Sequence, residues 1–211
     1  MSIDAAVKVY KNIPRLLVSR HIQSSYTFLN DSDASSALST YNYIAIEGTR
    51  TKVTGETLSA VIIITTPSSA AGRSAAGFRD MFSNTIKDPS VKLEITIISD
   101  IDVTQNIQKI IQDEIRQKYP DIFIETHDYN KFKIVYIDSP FVPYHEIVHP
   151  DKERELLKFY YQRKENLPKM LLNDTAVVWI GAHPGDVVMV NSISENCGIM
   201  QQYYLVINKI L

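Results

Sequence analysis

Apolar residues recur at three-to-four spacing between Asp4 and Ile22, at Ala5, Val9, Ile13, Leu16 and Leu17, which predicts an amphipathic helix. Pro14 is expected to kink or restart it, because proline lacks the donor the helix ladder needs. "NDSDASSALST", Asn30 to Thr40, is rich in residues that favour caps and turns and reads as a loop or a weak helix. "LSAVIIITT", Leu58 to Thr66, is β-branched and short, a buried strand stopped by Pro67-Ser68-Ser69. A helical segment is expected from about Ser74 to Asn84, burying Ala75, Phe78, Met81 and Phe82. "VKLEITIIS", Val91 to Ser99, reads as the next strand. Asp102 or Thr104 can cap a helix with an Ile107, Ile110, Ile111 and Ile115 stripe. "DIFIET", Asp121 to Thr126, returns to strand. Strand, helix and strand with short connections predict parallel crossovers.

The second part of the chain has a different texture. "KFKIVYI", Lys131 to Ile137, alternates like a strand, and prolines then cluster at 140, 143 and 150. That shift places a domain boundary near 139 to 143, dividing the chain into 1–140 and 141–211. Beyond it a helix starts at Pro150, and "AVVWI", "DVVMV" and "YYLVI" read as strands, with turns at His183-Pro184-Gly185 and near Gly198. The expected fold class is α/β to α+β: an N-terminal α/β domain, then a small α+β domain with one helix and several mostly antiparallel strands.

Length and composition add bounds. At 211 residues the chain fits one or two domains at the usual ~150 residues each. With 45% apolar and 22% charged residues it can bury a core, as a globular chain must. The longest apolar run, Ala60 to Ile64, is far short of the ~20 residues of a membrane span. The N-terminus lacks the contiguous apolar core of a signal peptide, which points to an intracellular setting. Cys197 is the single cysteine, leaving no internal disulfide and no cysteine zinc cluster. A net charge of −2 argues against a surface that is basic all over, while Lys8, Lys11 and Arg15 still form a local stripe on the first helix.

Three motifs suggest chemistry. His145-Glu146-Ile147-Val148-His149 satisfies the H-E-x-x-H pattern of zinc peptidases, which needs both histidines on adjacent turns of one helix. Pro150 disfavours helix at His149, and Pro143 lies just upstream, so the segment reads as a strand. There the two histidines would stand ~13 Å apart at ~3.3 Å per residue, too far for one metal at ~2.1 Å from each nitrogen. Lys152 and Glu155 also occupy the positions where an extended zincin pattern needs glycine and histidine. "GRSAAGFR", Gly72 to Arg79, has the glycine spacing of a phosphate loop but ends in Phe78-Arg79 in place of lysine and a hydroxyl. His183 and Asp186 in "GAHPGD" sit in a tight turn, where aspartate bonds its own main chain more readily than it orients a base.

From Pro143 onward the residues carry a different signal. A "HE-hydrophobic-V" strand at His145-Glu146 is followed by an acidic helix ending near Leu167-Pro168, a "DxxV" step at Asp174 to Val177, and "PGDVV" at Pro184, Gly185, Asp186, Val187 and Val188. The closing "SENCGIMQQYYLV" completes the series. This stretch resembles the C-terminal domain of the fifth common subunit of eukaryotic RNA polymerases and its archaeal counterpart. The order of elements upstream is similar to the eukaryotic subunit's N-terminal jaw domain. The family's "RPSETAG" is here Ser192 to Gly198 without its arginine and proline, and its "TPSA" is Val103 to Asn106. Such losses fit a diverged copy like those carried by large DNA viruses. The resemblance implies a non-catalytic subunit of a multisubunit DNA-directed RNA polymerase with no cofactor of its own. Residues 141–211 would dock on the largest subunit among other polymerase subunits, and residues 1–140 would act as part of the lower jaw near downstream duplex DNA. Lys8, Lys11, Arg15 and Arg20, then Arg73 and Arg79, are the expected phosphate-facing cations, with no membrane partner. The location would be the nucleus for a cellular protein, or the virion and host-cell cytoplasm for a viral one. A stand-alone zinc peptidase and a generic interaction adaptor are the competing readings.

Overall fold

The computed structural model describes residues 3–66, 75–85, 92–100, 115, 119, 121–194 and 198–208. Two compact units are distinguished: Met1–Arg50 with Thr57–Ile134, and Thr51–Glu56 with Val135–Leu211.

The first unit is built on a five-stranded sheet, in the order β1-β2-β3-β4-β5, comprising β1 (Ile22–Gln23), β2 (Tyr43–Thr51), β3 (Thr57–Thr65), β4 (Leu93–Ser99) and β5 (Ile122–Asp128). β3, β4 and β5 are parallel, as the strand and helix alternation predicts, and β1 runs antiparallel to β2. A parallel sheet needs both faces covered. One face of β4 carries Leu93, Ile95 and Ile97, which pack with Val61, Ile63, Ile122 and Ile124 against Met81 and Phe82 of α3 (Ala75–Thr85). The other face, Ala60, Ile62 and Ile64 beside Glu94, Thr96 and Ile98, is covered by α1 (Ile3–Ser19) through Val9, Ile13 and Leu16. α1 buries Ala6 where Ala5 was expected and runs as one helix through the exposed Pro14, without restarting.

Two segments in this unit differ from their sequence reading. "DSDASSALSTY" is a full helix, α2 (Asp31–Tyr41), capped by Asn30, whose side chain accepts from the Asp33 N–H. It closes on Asn42 at φ 64°, a left-handed position asparagine tolerates. "KFKIVYI" is not a strand: it is two short 3-10 turns, Tyr129–Lys131 and Tyr136–Asp138, on either side of the unit division. Its alternation defines no buried face, because Phe132 enters the core while Ile134, two residues on, stays in solvent. β2 went unread although Ile44 and Ile46 alternate inward, and Gly48 lets β1 lie against it: a Cβ there would come within 2.6 Å of Ile22 Cγ2. The expected stop at Pro67 and the helix of Asp102 to Ile111 lie outside the described residues; Ile115 is buried in the core.

Glu94 and Thr96 on β4 and Glu125 on β5 are buried, so their polar groups must be paired. Arg20, fully buried past the end of α1, reaches Glu125 Oε1 at 2.5 Å and Thr96 Oγ1 at 2.7 Å. Arg50 of β2 donates to both oxygens of Glu94 at 2.6 Å. His127 Nε2 lies 3.2 Å from Glu125 Oε2 but off the line of a hydrogen bond. Two guanidinium groups therefore balance two carboxylates inside the sheet-helix layer.

The second unit is a four-stranded sheet in the order β6-β8-β9-β7, with β6 (Tyr144–Ile147), β7 (Lys169–Leu171), β8 (Val187–Ser194) and β9 (Gly198–Ile207). β6 and β9 run antiparallel to β8, and β7 is parallel to β9. α4 (Pro150–Phe159) and α5 (Thr175–Ile180) complete it. The single helix expected here is thus two, because "AVVWI" is α5 and not a strand. Five consecutive buried residues carry no period of their own. The ends decide: Asp174 caps the first turn by accepting from the Ala176 N–H at 2.8 Å, and Gly181 at φ 66° closes the last. The core is Val177, Ile180, Val188, Val190 and Val206, with Val148, Val187 and Met189 beside it.

Removing the Arg20 cation should leave a buried carboxylate uncompensated. Arg20→Met is expected to cost about 3–5 kcal/mol in urea unfolding at neutral pH, and a loss under about 1 kcal/mol would show that the cluster does not hold the unit together. Burial pushes the Glu125 carboxyl up, but Arg20, His127 and Thr96 outweigh it and hold it well below the ordinary range. Its stabilising share is therefore full above the unfolded carboxylate value of about 4.3 and is lost as pH falls through the lower folded value. Glu125→Gln should flatten the acid limb of the unfolding midpoint plotted against pH; an unchanged limb would contradict this.

Candidate assembly surface

The residues that look chemical in the second unit turn out to shape its backbone. His145 donates from Nδ1 to the Pro143 carbonyl at 2.6 Å, and His149 is the N-cap of α4, its Nδ1 accepting from the Asp151 N–H at 3.2 Å. Pro150 takes the first helical position, where its missing N–H costs nothing. His145 and Glu146 lie on strand β6 and His149 on a cap, so no helix carries the three together. Among the described residues no group of three or more His, Cys, Asp or Glu side chains could hold a metal. Gly72, Arg73 and Cys197 lie outside the described residues.

The turn at 183–186 is held from both sides. Asp186 accepts from the His183 N–H at 2.7 Å and returns its own N–H to the His183 carbonyl at 3.0 Å. Gly185, at φ 95°, donates to the Val206 carbonyl, and Val206 donates to the Asp186 carbonyl, both at 2.9 Å. Pro184, Gly185 and Asp186 thus tie the start of β8 to the end of β9, and Val187 and Val188 pass straight into the core. Leu167 packs on the smaller core cluster, and the Pro168 carbonyl accepts from the Leu205 N–H at 2.8 Å to start the β7 ladder.

The outer surface has a different character. Past β6, the β8–β9 hairpin runs on as a ribbon whose Ile193 and Ile199 sit opposite each other at 90% and 77% exposure. Phe159 and Tyr161 stand out at the end of α4, Tyr161 at φ 51°, a backbone region bulky side chains avoid. Sequence reading missed all four, since exposure at a hairpin tip or a helix end leaves no period to detect.

In the first unit the expected cations are scattered. Lys8 and Lys11 are exposed on α1, and Lys11 Nζ pairs with Asp31 Oδ2 at 2.6 Å. Arg15 is half-buried and engaged. Arg20 must be withdrawn from the phosphate-facing group, because it is fully buried and spent on Glu125. Arg79 is exposed on α3, across the sheet from α1, so it does not join the others. Two cations the sequence did not suggest lie on a neighbouring turn: Asn12 Nδ2 donates to the Phe132 carbonyl at 2.7 Å, holding the segment with Lys131 and Lys133 against α1.

Residues 136–206 are thus a small α+β module: a mixed sheet with two helices, in which Asp174, Asp186 and His149 serve caps and a turn and several apolar side chains face outward. They match the family described as RNA polymerase Rpb5, C-terminal domain. The chain is 40% identical over 70 residues to the DNA-directed RNA polymerase subunit Rpo5 of Thermococcus kodakarensis, covering 33% of this chain and 85% of the relative. It is 37% identical over 78 residues to Rpo5 of Methanococcoides burtonii, 37% of this chain and 97% of the relative. To the RPB5 homolog of African swine fever virus it is 29% identical over 119 residues, 56% of this chain and 58% of the relative. The chain belongs to the Rpb5/Rpo5 family, as its C-terminal motifs lead one to expect.

Gly185→Ala places a Cβ at φ 95° and should destabilise by more than about 1 kcal/mol in thermal or chemical unfolding. A neutral effect would mean that the turn relaxes elsewhere.

Proposed function

We propose that the chain is a non-catalytic subunit of a multisubunit DNA-directed RNA polymerase, with residues 141–211 as its assembly domain and residues 1–140 as part of the lower jaw. The observation that carries this reading is the family match over residues 136–206, coincident with a unit whose motif residues lie on a strand, cap a helix, close a turn or enter the core of one mixed sheet. The assembly domain docks on the largest subunit through apolar surface and strand edges. Nucleotidyl transfer and its magnesium belong to other subunits. The jaw part approaches downstream duplex DNA with Lys8, Arg15, Lys131 and Lys133, through phosphate contacts that carry no sequence information.

Pull-down of the tagged chain from its native source should recover a complex with two very large subunits; recovery of neither would end the reading. In that complex, Lys8→Ala with Lys133→Ala should weaken downstream-duplex binding equally on unrelated sequences. The slope of log affinity against log salt should fall by about 1 per lysine. Unchanged slopes would remove this face from the DNA path.

A further inference from the structure

In the second unit a cleft of ≈320 Å³ opens between α4 and β9, with Leu156, Leu157 and Tyr160 on one wall and Pro168 at its end. Its floor is a strand edge. β7 pairs with β9 only at Leu205, Val206 and Ile207, so β9 from Gln201 to Tyr204 has no strand partner on that side among the described residues. The Leu205 N–H points to β7, bonding the Pro168 carbonyl, while the Val206 N–H points to the β8 side. Alternation along the strand therefore turns the N–H and C=O of Gln201 and Tyr203 outward into the cleft. An open edge of this length is normally blunted by lysine, proline or a bulge, and none of these stands between Gly198 and Ile207.

The lining determines what can fill it. No charged side chain lines the cleft, although the adjoining helix carries Asp151, Lys152, Glu153, Arg154, Glu155 and Lys158. A charged segment entering it would lose hydration with no counter-charge to replace it. Gln201 Oε1 already accepts from the Tyr203 hydroxyl at 3.2 Å, leaving its amide hydrogens to donate. Burial, and then the neighbouring Tyr160, push the Tyr203 hydroxyl up from its ordinary value.

We infer that this cleft receives an extended, uncharged strand of the polymerase subunit on which the chain docks, added to the free edge of β9 beyond the start of β7, with an apolar side chain seated against Leu156, Leu157 and Tyr160. This rests on the polymerase reading and specifies which surface makes the contact and in what backbone form. The bond set is main-chain, at Gln201 and Tyr203, so the contact should be insensitive to salt, unlike a phosphate face.

Hydrogen exchange on the full chain, free and in the complex recovered by pull-down, tests it. The Gln201 and Tyr203 amides should exchange at least tenfold more slowly in the complex. Gln201→Pro deletes one outward donor without touching the β8 ladder, and Tyr160→Glu puts an unpaired carboxylate in the cleft. Each should cut recovery of the large subunits at least tenfold at an unchanged melting temperature; should the proline variant melt early, Tyr160→Glu carries the comparison. A complex that forms while both amides exchange as in the free chain overturns the strand addition and leaves the polymerase reading standing. Recovery of no large subunit overturns both.

Discussion

Strand β4 is buried along its whole length, so the two polar side chains on its inner face can exist only if something pairs them. That requirement organises the first unit. Arg20 satisfies Thr96 and Glu125, and in doing so fixes where α1 ends on the sheet. Arg50 satisfies Glu94 and fixes β2 beside it. The helix therefore covers a face that would otherwise be hydrophobic only in part, and the exposed cations of α1 inherit their direction from that seating. Replacing such a cluster by apolar residues of similar volume is often neutral or stabilising, whereas removing one partner alone leaves a buried charge uncompensated.

The second unit obeys the same constraint with smaller means. Asp174, Asp186 and His149 each accept a hydrogen bond from a nearby main-chain N–H, so a helix start, a turn and another helix start are closed without long-range partners. These are residues that invite a catalytic reading. Each commits an acceptor to the backbone, and this explains how one short module can hold its shape while leaving its strand edges and apolar side chains for contact. The H-E-x-x-H letters belong to the same economy: one histidine bonds a carbonyl before the strand, and the other caps the helix after it.

Much of this was legible because it is local. Proline at 150 fixes a helix start, Pro184-Gly185 fixes a turn, and the β-branched runs at 58–66 and 91–99 fix the parallel strands, all through conformational preferences of single residues. The α5 error was avoidable on the same ground, since Asp174 and Gly181 bracket a helix whose buried interior is silent about period. The strand misread at 131–137 was not: its alternation is real, but its apolar positions meet different surroundings, Phe132 the core and Ile134 solvent.

The sequence by itself determined the parallel strands, the helix start at Pro150, the turn at 183–186 and the family, because caps, prolines and motif spacing act over a few residues. Only the tertiary structure decided what the charges and edges do. Arg20 finds its partners 76 and 105 residues away, and nothing in its neighbourhood distinguishes it from Lys8 or Arg15. Whether a strand edge is paired or open depends on where a three-residue strand, Lys169–Leu171, happens to stop against β9. Both are settled by distances between segments remote in the chain, which no local preference encodes.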